Sequence, residues 1–82
     1  MKTSATARAI AKYREDGTLP ARMTLRFLAL CKKTELATLA RHYHRMMHAK
    51  ALPEVLKRSD RFYETRYNRI QSERRQRGYI SS

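Results

Sequence analysis

Apolar residues recur every three or four positions along most of this chain, and only Gly17, Pro20, Pro53 and Gly78 punctuate the pattern. That spacing is the signature of amphipathic α-helices. It predicts four helical segments, at 5–15, 20–33, 35–50 and 53–77. In the first, Ser4 or Thr3 caps the start. Ala9, Ile10 and Tyr13 make a thin apolar face, and Gly17 ends the segment in the left-handed conformation glycine adopts freely. Pro20 suits the first position of the second segment. Met23, Phe27, Leu30 and Cys31 line one side of it, with Leu28 at the edge, and Arg22, Arg26 and Lys33 line the other. Thr34 then reads as an N-cap and Glu35 as a charge that complements a helix start, so segments two and three form a hairpin or corner.

The third segment contains "RHYHRMMHAK", residues 41–50, which holds all three histidines. Its stripe is Leu36, Leu39, Ala40, Tyr43, Met46, Met47 and Ala51, a full core-facing set. Arg41, His44, Arg45 and His48 fall on the opposite flank, with His42 apart from them. Tyr43 and the methionines are therefore core, and the basic residues face outward. Pro53 opens the fourth segment, with Leu52, Val55, Leu56, Ser59, Phe62, Tyr63, Tyr67 and Ile70 as its buried stripe. Ser59-Asp60 offers a second cap that would split this segment in two. Past Ile70 the stripe dissolves into "QSERRQRG", so 71–82 reads as a basic extension projecting beyond the core. The expected fold is all-α: one compact domain of three to five helices with a long, projecting last helix. Leu39 and Phe62 serve as representative core positions.

Length adds one constraint. A chain of 82 residues buries only about 60–65% of its unfolded surface, so a partner or a second copy of the chain, in a homodimer, would supply part of the core. β-branched aliphatic residues are scarce, which argues against strands. Cys31 is the single cysteine, so no intrachain disulfide forms, and a reducing, cytoplasmic setting follows. No apolar run is long enough to span a membrane or act as a secretory signal.

Charge changes the picture most. Nineteen Lys and Arg against seven Asp and Glu give a formal net charge of +12. That excess points to nucleic acid, an anionic membrane or an acidic protein surface as partner. Residues 21–51 carry Arg22, Arg26, Lys32, Lys33, Arg41, Arg45 and Lys50 against one acid, Glu35. The last segment adds Arg66, Arg69, Arg74, Arg75 and Arg77, diluted by Glu64 and Glu73. If the faces of segments two and three lie side by side, their charges form one continuous patch. The candidate binding residues are Arg22, Arg26, Lys33, Arg41, His44, Arg45, His48, Arg69, Arg74, Arg75 and Arg77. Arginine dominates, and its planar fork suits phosphate or carboxylate.

Other chemistry is poorly served. His44 and His48 have the i,i+4 spacing of a chelating pair, but zinc wants two more ligands. Cys31 points inward, and Arg41 and Arg45 would repel a cation. No metal or cofactor is expected. Catalysis needs a nucleophile with a base in reach and a group orienting that base. The acids are scattered along the chain, and there is no phosphate-binding glycine loop, so no enzymatic activity is expected.

"TELATLARHYHRMMHAKALPEVLKRS" has the layout of a helix-turn-helix and an "LATLA" opening similar to such proteins, but lacks their glycine-bearing tight turn. Tyr63 and Tyr67 sit at core spacing rather than as a base-stacking pair. In its size, single helical unit and arginine-rich end "SERRQRGYISS", the chain resembles the small, basic accessory proteins of temperate phages and plasmids. The resemblance implies a regulator acting in the host cytoplasm. Such a protein binds nucleic acid (DNA or RNA) through a cationic helical face. Alternatively, it binds an acidic host protein and modulates it.

Overall fold

The computed structural model describes residues 4–48 and 60–81. Among these, every regular element is a helix: α1 (Ala5–Asp16), α2 (Leu25–Leu30), α3 (Lys33–His48) and α4 (Asp60–Gln76). No strand and no helix long and apolar enough to cross a membrane occurs among the described residues. The expected positions 49–59, including Ala51, Leu52, Val55, Leu56 and Ser59, lie outside them.

Antiparallel packing of α3 on α4 forms the spine. Tyr43 meets Tyr63 with ring centroids 6.4 Å apart, and His44 meets Tyr67 at 5.7 Å, while Arg41 shares a groove with Arg74 further along. Leu36, Leu39, Ala40 and Tyr43 from α3 and Tyr63 and Ile70 from α4 are buried. Met23, Phe27, Leu28 and Cys31 close the core from one side, and Ile10 of α1 joins it with half-buried Tyr13 edge-on to Phe27. The expected stripes of α1 and α3 are thus the packed ones, with Met46 and Met47 half-buried.

Local capping explains most helix ends. The Ser4 side chain accepts a hydrogen bond from the Ala7 amide, and Gly17 at φ 77° donates its amide to the Tyr13 carbonyl. At the other end of the chain, Gly78 has φ 75°; its amide donates to Arg75 O and that of Tyr79 to Arg74 O. Those two bonds are the Schellman pattern, and they fold Tyr79 back against the core.

Four expectations need correction. Segment two does not start at Pro20. α2 is six residues long, with Thr24 as its N-cap accepting from the Phe27 amide. The reason lies in α4, whose Arg66 donates to the carbonyls of Pro20 (3.3 Å) and Ala21 (2.7 Å), while Arg69 donates to Met23 O (3.2 Å). Carbonyls held by guanidinium groups hold this stretch out of a helix. Second, Leu30 is 48% exposed and Leu28 fully buried, the reverse of the expected placement. The cause is the packing of α1 and α4 on α2, which takes up the side formed by Phe27, Leu28 and Cys31.

Third, Thr34 is not the cap of α3. Its helix begins at Lys33, and Glu35 closes the turn by accepting from the Lys32 amide at 2.7 Å. Fourth, residues 71–80 do not project. Arg77 turns inward and donates to Leu28 O, Ala29 O and Cys31 O at 2.9, 2.7 and 2.6 Å. Glu73 orients it at 2.8 Å, and Arg14 caps the remaining Leu30 carbonyl at 3.0 Å. Two arginines thereby satisfy the last carbonyls of α2, where cations are favoured.

Arg14 also forks onto Glu35 through two bonds of 2.9 and 3.1 Å, tying α1 to α3. The Arg14 side-chain bond, with help from the Lys32 amide, holds the Glu35 carboxyl below its usual 4.5. A carboxyl depressed in the folded state contributes stability that is complete above that value and fades as pH falls through the lower folded one. Denaturant unfolding between about pH 6 and about pH 3 should therefore show a flatter acid limb for Glu35→Gln than for the wild type. Superimposable profiles would show that the fork carries no linkage.

Candidate functional site

The basic residues separate into two populations once the helices are packed. Arg14, Arg66, Arg69 and Arg77 hold backbone carbonyls of other segments, Arg66 and Arg77 half-buried and Arg14 and Arg69 at the surface. Arg66 also donates to Tyr43 Oη at 3.0 Å and lies 4.2 Å over the Phe62 ring. At about 3.6 residues per turn, Arg66, Arg69, Glu73 and Arg77 make one flank of α4, beside its Tyr63–Ile70 stripe. Charged side chains recurring at the helical period along the edge of an apolar stripe were the signal in the sequence for this ladder. Arg14, Arg61 and Arg66 were not among the expected site residues.

The second population faces solvent around two grooves, the second of which Arg66 and Arg69 also line. In the first, about 460 Å³ in volume, Ala40, Arg41, His44 and Arg45 of α3 face Tyr67 and Arg74 of α4. Gln71 accepts from Arg74 at 2.9 Å and fixes that guanidinium in the groove wall. His48 lies against His44 with ring centroids 4.5 Å apart and the rings tilted by 50°. In the second groove, about 630 Å³, Arg22 of the bend before α2 faces Arg61, Thr65, Arg66 and Arg69. Among the described residues neither groove is lined by an acidic side chain. The two open on opposite flanks of α4, so the single continuous patch expected from segments two and three is instead two clusters. The cause is the shortened α2, which leaves Arg22 on the connecting stretch beside α4 instead of on a helix beside α3.

The other expected residues fall elsewhere. Arg26 stands exposed on α2 outside both grooves, and Lys33 places its Nζ 5.4 Å from the Tyr79 ring centroid. Arg75 is exposed on α4. Arg77 is spent on the fold, whereas Arg69 gives one bond to Met23 O and stays exposed in the second groove. His42 is half-buried, edge-on to Tyr43 at 4.9 Å, and burial with the Arg45 charge lowers its imidazole from the usual 6.5.

No group of three or more His, Cys, Asp or Glu gathers among the described residues. Cys31 is buried, and its thiol donates to Phe27 O at 3.4 Å. Burial, reinforced by nearby Glu35, pushes that thiol up to about 11. The native protein should therefore resist an aromatic disulfide reagent at neutral pH and react only as it unfolds. Rapid stoichiometric labelling would contradict this burial.

Compared with known proteins, the chain matches no protein-family model, no curated sequence and no solved structure. What the fold and site define is a small four-helix protein, over its described residues, with a cationic exterior.

Proposed function

We propose that this chain is a small nucleic-acid-binding accessory protein, of the kind temperate phages and plasmids carry, acting in the cytoplasm. One observation carries the reading: packing of α3 on α4 gathers Arg41, His44, Arg45 and Arg74 around a groove that, among the described residues, has no acidic side chain. Clustered guanidinium groups with no local counter-charge attract phosphate, and their forks bond it bidentately. A binding role rather than a catalytic one is supported by the Cys31 thiol, which is buried and engaged with its own helix.

The test is the affinity for duplex DNA and for RNA by fluorescence anisotropy across a range of salt. The logarithm of affinity should fall linearly with that of salt, with a slope of about −0.9 per neutralised phosphate on duplex DNA. Arg41→Ala and Arg45→Ala should each flatten the slope by about one unit. No affinity for either polymer near about 50 mM salt would sink the proposal.

A second reading, docking on an acidic host protein, is favoured by Leu25 and Leu30, which are 66% and 48% exposed. A phosphate backbone has no use for them, and a protein surface does. On that reading the same arginine variants abolish a one-to-one protein complex while nucleic-acid binding is feeble throughout.

A further inference from the structure

Between the two cationic grooves, and sharing Arg61 and Thr65 with the second, runs the outer face of α4. Opposite buried Tyr63 and Ile70, the helical period brings Arg61, Thr65, Asn68, Ser72, Arg75 and Gln76 to one side. All but the half-buried Ser72 are exposed. Among the described residues none of the six makes a side-chain hydrogen bond, unlike the arginines of the flank below. The face is therefore a row of free donors and acceptors, with no aliphatic or aromatic member.

We infer that α4 is a recognition helix: its outer face enters the major groove of B-form DNA while the grooves on either flank hold the two phosphate backbones. The inference deepens the nucleic-acid reading above and rests on it. Three features point to this ligand. An α-helix with its side chains is about 10–12 Å across and the major groove about 12 Å wide, so cations flanking one helix fall where the two strands pass. Arg22 stands on one flank, and Arg41, Arg45 and Arg74 on the other.

The side chains between them are also those whose geometry matches base edges. Arginine forks onto guanine O6 and N7, and asparagine or glutamine onto adenine N6 and N7. Finally, Glu64 is exposed on the same helix. A carboxylate there opposes binding that relies on phosphate alone, but it can accept from the cytosine amino group within the major groove. A-form RNA duplexes, whose major groove is deep and narrow, do not admit the helix.

The experiment is selection from a pool of DNA duplexes with a randomised central segment, followed by anisotropy titrations on the enriched sites. The expected result is a consensus containing adenine and guanine positions. Asn68→Ala should lose discrimination at one adenine by roughly 5- to 150-fold, with the salt slope unchanged, because no charge is removed. Replacing that adenine by 7-deazaadenine should weaken the wild type and leave Asn68→Ala unaffected. Circular dichroism of the variant should match that of the wild type, since Asn68 is exposed.

Uniform binding of all duplexes with no consensus would overturn the recognition helix while leaving the cationic-surface reading in place. So would binding to an RNA duplex at least as tight as to DNA. No binding to any nucleic acid would remove the underlying reading itself.

Discussion

Replacing Arg77 with alanine is expected to destabilise the protein by about 2–4 kcal/mol, a large loss for a side chain that the sequence places in a basic tail. Its guanidinium donates to three carbonyls at the end of α2 and is oriented by Glu73. Hydrogen bonds from a charged donor contribute about 1.5–3 kcal/mol each, and water replaces part of that at a half-buried site. Arg77→Lys should recover only part of the loss, because one ammonium cannot span carbonyls that the planar fork reaches together. Deleting residues 74–82 should cost more than the point variant, since it also removes the Schellman turn and the packing of Tyr79. Urea unfolding followed by circular dichroism measures all three. A change below about 0.5 kcal/mol for Arg77→Ala would mean that solvent serves the α2 carbonyls equally well.

The second large effect lies in the core. Phe27 is 1% exposed and meets Tyr13 edge-on, at the junction of α1 and α2. Phe27→Ala should destabilise by about 3–5 kcal/mol, the lost transfer energy together with a cavity that neighbouring helices cannot fill. Leu39, equally buried on α3, should lose about 2–5 kcal/mol on truncation. Phe62, expected from the sequence to behave like Leu39, is half-buried beneath the Arg66 guanidinium, and its truncation should cost less than that of Leu39. Equal losses at Leu39 and Phe62 would show that the stripe on α4 is more deeply buried than its geometry indicates.

Where the sequence was legible, local and periodic signals agreed. Ser4 and Gly17 bound α1 as expected, Gly78 ends α4, and the α3 stripe from Leu36 to Tyr43 is the buried one. Pro20 misled because a helix-start preference is local, whereas the carbonyls of Pro20, Ala21 and Met23 are taken by side chains more than 40 residues away in sequence. Thr34 misled for a related reason, since Glu35 found the Lys32 amide and moved the start of α3 forward.

The candidate site divides the same way. The helical period alone brings Arg41, His44 and Arg45 together. Only the antiparallel fit of α3 on α4 adds Arg74, and only the non-helical stretch before α2 sets Arg22 beside Arg61 and Arg69. Net charge carried no information about which arginines hold the fold and which face outward.

The proposed role depends on that division, because a charge of +12 could draw any polyanion without a built surface. The most direct measurement compares two variants with equal charge loss for affinity to one DNA duplex near about 100 mM salt. One is Arg41→Ala/Arg45→Ala on the α3–α4 groove, and the other is Arg8→Ala/Lys12→Ala on exposed α1 positions outside both grooves. The groove variant should bind weaker by on the order of tenfold or more, and the α1 variant should stay close to the wild type. Equal losses in the two would contradict the account, reducing the surface to net charge alone.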